Sequence, residues 1–280
     1  MTGATGLIGR SVVDVLKGEH DLISVGRNPP PKGVEWVNVD LNSPLGLSSM
    51  PASADSVIYL AQSAHFRDFP QRAEEIFRVN IASVQQMLDW ARGAGAQRFI
   101  YASSGGIYGH GSQSFREDDL ISARNELGYY IASKKCGELL AENYANCFTV
   151  VILRFFFVYG PAQRQTMLIP RLIMRVRNGE PIQLQGEDGI RINPTHVSDA
   201  VAATVRALEL SSSHTINVGG PDVLSMREIG EEIGLALNRK PIFSVDQSST
   251  PRHLSGDISK MRELLIPPRV SFSDGLRSML

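Results

Sequence analysis

The chain has 280 residues, 42% of them hydrophobic, and no low-complexity tract, which suffices for a large core, or for one large domain and one smaller one. Its formal net charge of −1 supplies no global field to draw in nucleic acid or an anionic membrane, so small molecules and a second copy of the chain are the expected partners. The longest apolar stretch, Phe148 to Tyr159, is broken by Arg154 and falls short of the roughly 18 residues a membrane helix needs.

In chain order, a glycine-rich turn, Thr2-Gly3-Ala4-Thr5-Gly6-Leu7-Ile8-Gly9, opens an amphipathic helix predicted over Leu7–Lys17. Nothing resembling a secretory signal precedes it, so a cytoplasmic location is expected. Strands are predicted at Leu22–Val25, Val34–Val39, Ser56–Leu60, Arg98–Ala102 and Thr149–Leu153, alternating with helices over Gln71–Arg92 and Glu126–Tyr144. Apolar residues such as Val79, Val84, Met87 and Leu88 recur at helical spacing in the first of these helices. This β-α-β order specifies a parallel sheet wrapped by helices. After Arg154 come short mixed elements with Pro161, Pro170, Pro181, Pro194 and Pro221, the composition of a smaller lobe that shapes a substrate pocket. The expected division is 1–155 and 156–280, with about 190–210 returning to the first part.

Glycines spaced as in Gly3, Gly6 and Gly9 let backbone N–H groups and the positive end of a helix approach a pyrophosphate that a Cβ would obstruct. Such a turn normally follows a strand, and here only Met1 and Thr2 stand before it. The expectation is that the native protein carries roughly six more apolar residues upstream. At the end of the second predicted element, Gly26-Arg27-Asn28 has no carboxylate for a ribose 2′-hydroxyl. Arg27 suits a 2′-phosphate instead, a slight lean toward NADP over NAD. Asp40 and Leu41 stand where adenine would lie, and an exposed turn aspartate is an equal reading. Cys136 and Cys147 would lie about 16 Å apart on one helix, too far for a disulfide, and read as small, buried, reduced thiols.

Two more motifs make the glycine turn specific: Tyr101-Ala102-Ser103-Ser104-Gly105-Gly106-Ile107-Tyr108-Gly109 closing a strand, and Tyr130-Ile131-Ala132-Ser133-Lys134 on a helix. Together they resemble the extended short-chain dehydrogenase/reductases, also called the NAD-dependent epimerase/dehydratase family. The resemblance continues through Val79-Asn80, Gly137-Glu138, Leu153-Arg154, Val158-Tyr159-Gly160-Pro161, Arg191, His196-Val197-Ser198-Asp199 and Asn217-Val218-Gly219-Gly220. It implies an α/β fold, a Rossmann-type doubly wound parallel sheet with a smaller C-terminal α/β substrate lobe. It also implies NAD or NADP, held by Gly3, Thr5, Gly6, Leu7, Ile8, Gly9, Arg27, Asp40, Leu41, Leu60, Ala61, Gln62, Asn80, Tyr130 and Lys134.

Residues four apart on a helix share one face, so Lys134 is expected beside the Tyr130 ring edge, lowering the phenol's pKa toward working pH. Tyr130 then shuttles a proton to a substrate oxygen that Ser104 holds, while hydride moves at the adjacent carbon. In the family the lysine also bonds the nicotinamide ribose. Tyr129 has Ser133 rather than a cation four residues on, and Ser103 lies one residue too early to match the family serine.

Related dehydratases carry an Asp-Glu pair where this chain has Gly105 and Gly106, so water elimination is disfavoured. Sugar 4-epimerisation or net carbonyl reduction remains. Nucleotide-sugar epimerases usually have asparagine where Phe157 stands, and a phenyl ring cannot donate to a phosphate. Arg191 does match the family arginine on the nucleotide diphosphate. Arg171 and Arg175 share a helical face, more simply a solvated one, and His65 overlooks the pocket or is an ordinary loop histidine. His196 and Asp199 lack further ligands at metal spacing, so no metal is expected. The resemblance implies a homodimer. The leading reading is a nucleotide-sugar epimerase; the alternatives are an NADP(H)-dependent reductase of a non-nucleotide carbonyl and a non-catalytic NAD(P) sensor.

Overall fold

The computed structural model describes residues 1–46, 49–121 and 128–280. It divides into two compact units, one of Met1–Ile107, Ala123–Arg154 and Val201–Ile216, the other of Tyr108–Ser122, Phe155–Ala200 and Asn217–Leu280.

The first unit begins with helix α1 (Leu7–Leu16), whose Val12, Val13 and Leu16 are buried. Strands β1 (Ile23–Gly26) and β2 (Glu35–Asn38) pair in parallel. Strands β3 (Ser56–Tyr59) and β4 (Arg98–Ser104) also pair in parallel, and β5 (Thr149–Phe155) and β10 (His214–Val218) extend that sheet in the order β10-β5-β4-β3. Val150 to Phe155 are all buried, as expected of a strand covered on both faces, where continuous apolar sequence replaces alternation.

Between β1 and β3 lie Met1 and Thr2. Thr2 bridges in parallel to Val25 on one side and Tyr59 on the other. The Thr2 amide donates to the Ile58 carbonyl at 2.9 Å, and the Val25 amide donates to the Met1 carbonyl at 2.8 Å. These two residues therefore join both sets of strands through one bridge on each side.

One face of the sheet is covered by residues 73–93 and by α4 (Gly128–Glu142), with Val79, Val84, Met87, Leu88, Phe99, Tyr101 and Ile152 in a common core. Stacked rings of Tyr59, Phe99 and Phe148 run through it. The single helix expected over Gln71–Arg92 is α2 (Ala73–Phe77) and α3 (Ser83–Gly93) joined by a wider, i→i+5 bonded turn over Arg78–Ala82. Widening frees the Val79 carbonyl, which accepts from the Tyr59 hydroxyl at 3.0 Å and the Ser83 hydroxyl at 2.7 Å. The start expected for the next helix, Glu126, lies outside the described residues. Both cysteines are free, but exposed rather than buried as the sequence suggested: on α4 the face turned to the sheet is taken by Ser133 and Ala141 rather than Cys136, and Cys147 lies beyond the helix in the turn before β5.

In the second unit, β6 (Val158–Tyr159) pairs with β9 (Thr195–His196), β7 (Ile182–Gln185) with β12 (Phe243–Asp246), and β8 (Arg191–Ile192) with β11 (Leu224–Ser225). Helices α5 (Leu168–Asn178), α7 (Met226–Leu237) and α9 (Phe272–Arg277) enclose a core of Leu172, Ile173, Val176, Ile229, Ile233 and Leu276. Helix α6 (Val197–Arg206) begins in this unit, and α8 (Ser259–Leu264) belongs to it. The carboxylate of Asp199 accepts from the backbone amides of Arg269 and Val270 at 3.1 and 3.0 Å, and His196 hydrogen-bonds Ser198 and Ser278. Both side chains thus pin the C-terminal segment. Among the described residues no helix is long and apolar enough to cross a membrane.

Candidate active site

The glycine turn packs against the end of β3. Gly3 takes a left-handed conformation at φ +71°, where a Cβ would stand 2.8 Å from the Leu60 carbonyl carbon. At Gly9 a Cβ would stand 2.0 Å from the Gly3 carbonyl oxygen, so only glycine lets α1 start this close to the turn. Thr5 and Gly6 are exposed, and Leu7 and Ile8 are half-buried. The first turn of α1 has no side-chain cap and no acidic residue. Its open N–H groups and helix dipole suit an anion, so these residues fit a dinucleotide pyrophosphate. The Ala61 amide donates to the Thr2 hydroxyl at 3.2 Å, tying the Leu60-Ala61-Gln62 segment to the same turn.

At the same C-terminal ends of the neighbouring strands, Arg27 faces Asp40 at 3.8 Å, and Asp40 accepts from the Asn42 amide at 3.0 Å. The sequence had offered Arg27 and Asp40 as separate contacts; the structure pairs them because their chain segments leave β1 and β2 side by side. Leu41 is buried in the sheet core.

Helix α4 approaches β4 closely because Gly137 lies over Tyr101: a Cβ there would come within 2.1 Å of the Tyr101 hydroxyl oxygen. Gly106 similarly faces Ile131. This crossing carries Lys134, 3% exposed, against β4. Its ammonium donates to the Ala102 carbonyl at 2.8 Å and lies 5.3 Å from the Tyr101 ring centroid. The ammonium's hydrogen bond is thus to β4 rather than to the phenol expected beside it. Instead the Tyr130 hydroxyl donates to the Gln62 side-chain carbonyl at 2.9 Å, and its ring packs on Phe66 with centroids 4.7 Å apart.

The electrostatics follow this geometry. Burial pushes the Tyr130 phenol above its ordinary range, opposed by the positive charge of Arg67, rather than below it as the spacing alone suggested. Burial lowers the Lys134 ammonium to about 8, opposed by the negative charge of Glu138. Glu138, fully buried one turn beyond Lys134, receives a two-pronged bond from Arg154 at 3.0 and 2.9 Å. Of the two serines, Ser103 is buried with no partner for its hydroxyl among the described residues, whereas Ser104 is half-buried and accepts from the Gly106 amide at 3.1 Å.

Asn80 reaches this site through the widened turn. Its carbonyl accepts from the Ser63 amide and its NH2 donates to the Ser133 hydroxyl, each at 2.9 Å, and Ser133 donates to the Tyr130 carbonyl at 2.6 Å. One buried amide thus links the loop after β3 to the helix bearing Tyr130. Ser63, Phe66, Arg67 and the pairing of Glu138 with Arg154 escaped the sequence reading; the available signal was the four-residue step from Lys134 to Glu138. His65 is held by Asp68 at 2.8 Å.

The structure thus gathers the glycine turn, Leu60, Ala61, Gln62, Asn80, Ser104, Tyr130 and Lys134 in one unit. Phe157 and Arg191 belong to the other. Phe157 stands at φ +43°, a left-handed conformation that asparagine tolerates better than a bulky ring. The Arg191 amide donates to His253 Nδ1 at 3.0 Å, and its guanidinium donates to the Val223 carbonyl at 3.1 Å and lies 3.8 Å from Glu228. Arg171 is exposed on α5, and Arg175 donates to the Pro181 carbonyl.

Residues 1–219 match the sequence pattern of the NAD dependent epimerase/dehydratase family. A Bacillus subtilis protein named "Uncharacterized UDP-glucose epimerase YtcB" is 28% identical over 302 residues, covering 99% of this chain and 94% of that protein. Among solved structures, MoeE5 in complex with UDP-glucuronic acid and NAD is 29% identical with a TM-score of 0.84, over 99% of this chain and 96% of that one. The UDP-glucuronic acid 4-epimerase of Bacillus cereus in complex with UDP-glucuronic acid and NAD is 27% identical with a TM-score of 0.86, over the same shares.

Proposed function

The chain belongs to the NAD dependent epimerase/dehydratase family, and on that premise we propose that it is an NAD(P)-dependent epimerase acting on a nucleotide sugar, with Tyr130 as acid and base. The observation that carries this reading is that Ser104 on β4 and Tyr130 and Lys134 on α4, which packs against β4, belong to the unit that holds the glycine turn. The similar structures that hold a UDP-sugar and NAD support the substrate class and the cofactor.

A bound nicotinamide would supply the acceptor and donor of a hydride at the sugar carbon. The protein's part is to place and move the proton. Once its own proton has gone to solvent, Tyr130 takes the sugar hydroxyl proton as phenolate and later gives it back as phenol. Ser104 holds the same sugar oxygen. Lys134, whose ammonium is softened by burial, adds the positive charge that favours phenolate once its bond to Ala102 is exchanged. Gly105 and Gly106 bring no carboxylate for water elimination, which favours epimerisation over dehydration. Arg191 serves the diphosphate by releasing Glu228, and a homodimer is the assembly we propose.

The test is a panel of UDP-, GDP- and dTDP-sugars, read for epimer interconversion and for the absorbance of reduced cofactor. Tyr130→Phe is expected to lower turnover by about 10²-fold or more while cofactor still binds. Undiminished turnover would remove Tyr130 from the mechanism. Turnover of a simple ketone, with none of the sugars accepted, would favour the reductase reading to which Phe157 points.

A further inference from the structure

We propose that Gln62 is a positioning residue for Tyr130: its side-chain carbonyl keeps the proton on the phenol and aims the hydroxyl at the end of β3 until ligand takes its place. The catalytic consequence rests on the role proposed above for Tyr130; the contact itself does not.

The geometry has three parts. The phenol donates to Gln62 Oε1 at 2.9 Å. A carbonyl facing that oxygen favours the protonated phenol, because a phenolate would set two acceptors against each other. Gln62 is held from both sides along the backbone: the Ala61 amide is bound to the Thr2 hydroxyl at 3.2 Å and the Ser63 amide to Asn80 at 2.9 Å. Its side chain, although exposed, therefore springs from a fixed stretch of chain. Finally, the Thr2 tie places Gln62 one residue from a segment bonded to the glycine turn, so occupancy of that turn and release of the phenol share a mechanical path.

The other groups around Tyr130 do different work. Phe66 covers the ring, and the Arg67 guanidinium lies 5.0 Å from the Phe66 centroid and sets a positive charge near the phenol. Lys134, one turn along α4, is directed at the Ala102 carbonyl. The Tyr101 hydroxyl on β4 points to the Lys134 carbonyl, and the His65 and Asp68 pair in the loop is internally matched.

The experiment places trifluorotyrosine at position 130 and follows its ionisation by fluorine NMR, with Gln62 present or replaced, in cofactor-free protein. Gln62→Met preserves length without the carbonyl and is expected to lower the midpoint by about one pH unit, the worth of one neutral hydrogen bond. Gln62→Glu places a negative acceptor there and is expected to raise it. An unchanged midpoint in Gln62→Met, or an upward shift, which would mean that the amide presents its NH2 group, overturns the proposal. The titration needs no turnover, so it stands or falls separately from the Tyr130→Phe assay.

Discussion

Lys134 holds an ammonium at 3% exposure, where burial lowers its pKa from 10.5 to about 8. Below the lower value both the folded and the unfolded chain are protonated, and folding bears the full cost of the buried charge, roughly 3 kcal/mol. Between the two values the unfolded chain binds a proton that the folded chain has released, so this residue makes stability rise with pH across that window and adds nothing further above it. Replacing Lys134 by methionine, similar in length and uncharged, should therefore stabilise the cofactor-free protein at neutral pH. The lowered value reflects burial set against the Glu138 charge; losing the bond to Ala102 leaves a buried carbonyl without its donor, which cuts the gain to about 1–2 kcal/mol. Urea denaturation of both proteins, repeated from neutral pH to above 10.5, reads the difference. A Lys134→Met protein less stable than its parent at neutral pH, or an advantage that does not shrink on going alkaline, would refute the reasoning.

Glu138→Gln leaves Arg154 buried without its counter-charge and should destabilise by about 3–5 kcal/mol in thermal or urea melts. Adding Arg154→Met should recover most of that loss, and failure to do so would show that the pair is not the source. If Arg27 meets a 2′-phosphate, Arg27→Ala should weaken NADP binding by about tenfold or more and leave NAD binding nearly unchanged, measured by titration calorimetry. Equal effects on both would end the preference for NADP.

Much of the first unit was legible because its signals are local. The short, β-branched apolar run at Thr149–Leu153 reads as a strand covered on both faces, and Val84, Met87 and Leu88 share one face of a helix at any plausible boundary. The glycines at 3, 6 and 9 report backbone contact, which sequence records faithfully. What escaped was decided by residues distant in the chain. The four-residue step puts Tyr130 and Lys134 on one face, but the Ala102 carbonyl on β4 and Gln62 after β3 decide where the two side chains point. The pairing of Arg27 with Asp40 depends on two strands leaving the sheet together. The left-handed backbone at Phe157 was hidden because a phenylalanine does not advertise it, whereas an asparagine would have.

The widened turn over Arg78–Ala82 has a consequence for how this chain can change. Deleting one residue there would restore a regular helix and, by itself, improve its backbone bonding. The flanking turns would keep their phase, because the wide turn already absorbs the extra residue, but residues 78–82 would be drawn into the regular ladder, the Val79 carbonyl among them. Asn80 would then shift from its place between Ser63 and Ser133, and Tyr59 would lose its acceptor at Val79. The irregularity thus resists repair: a better helix at this point would be a poorer support for the residues around Tyr130.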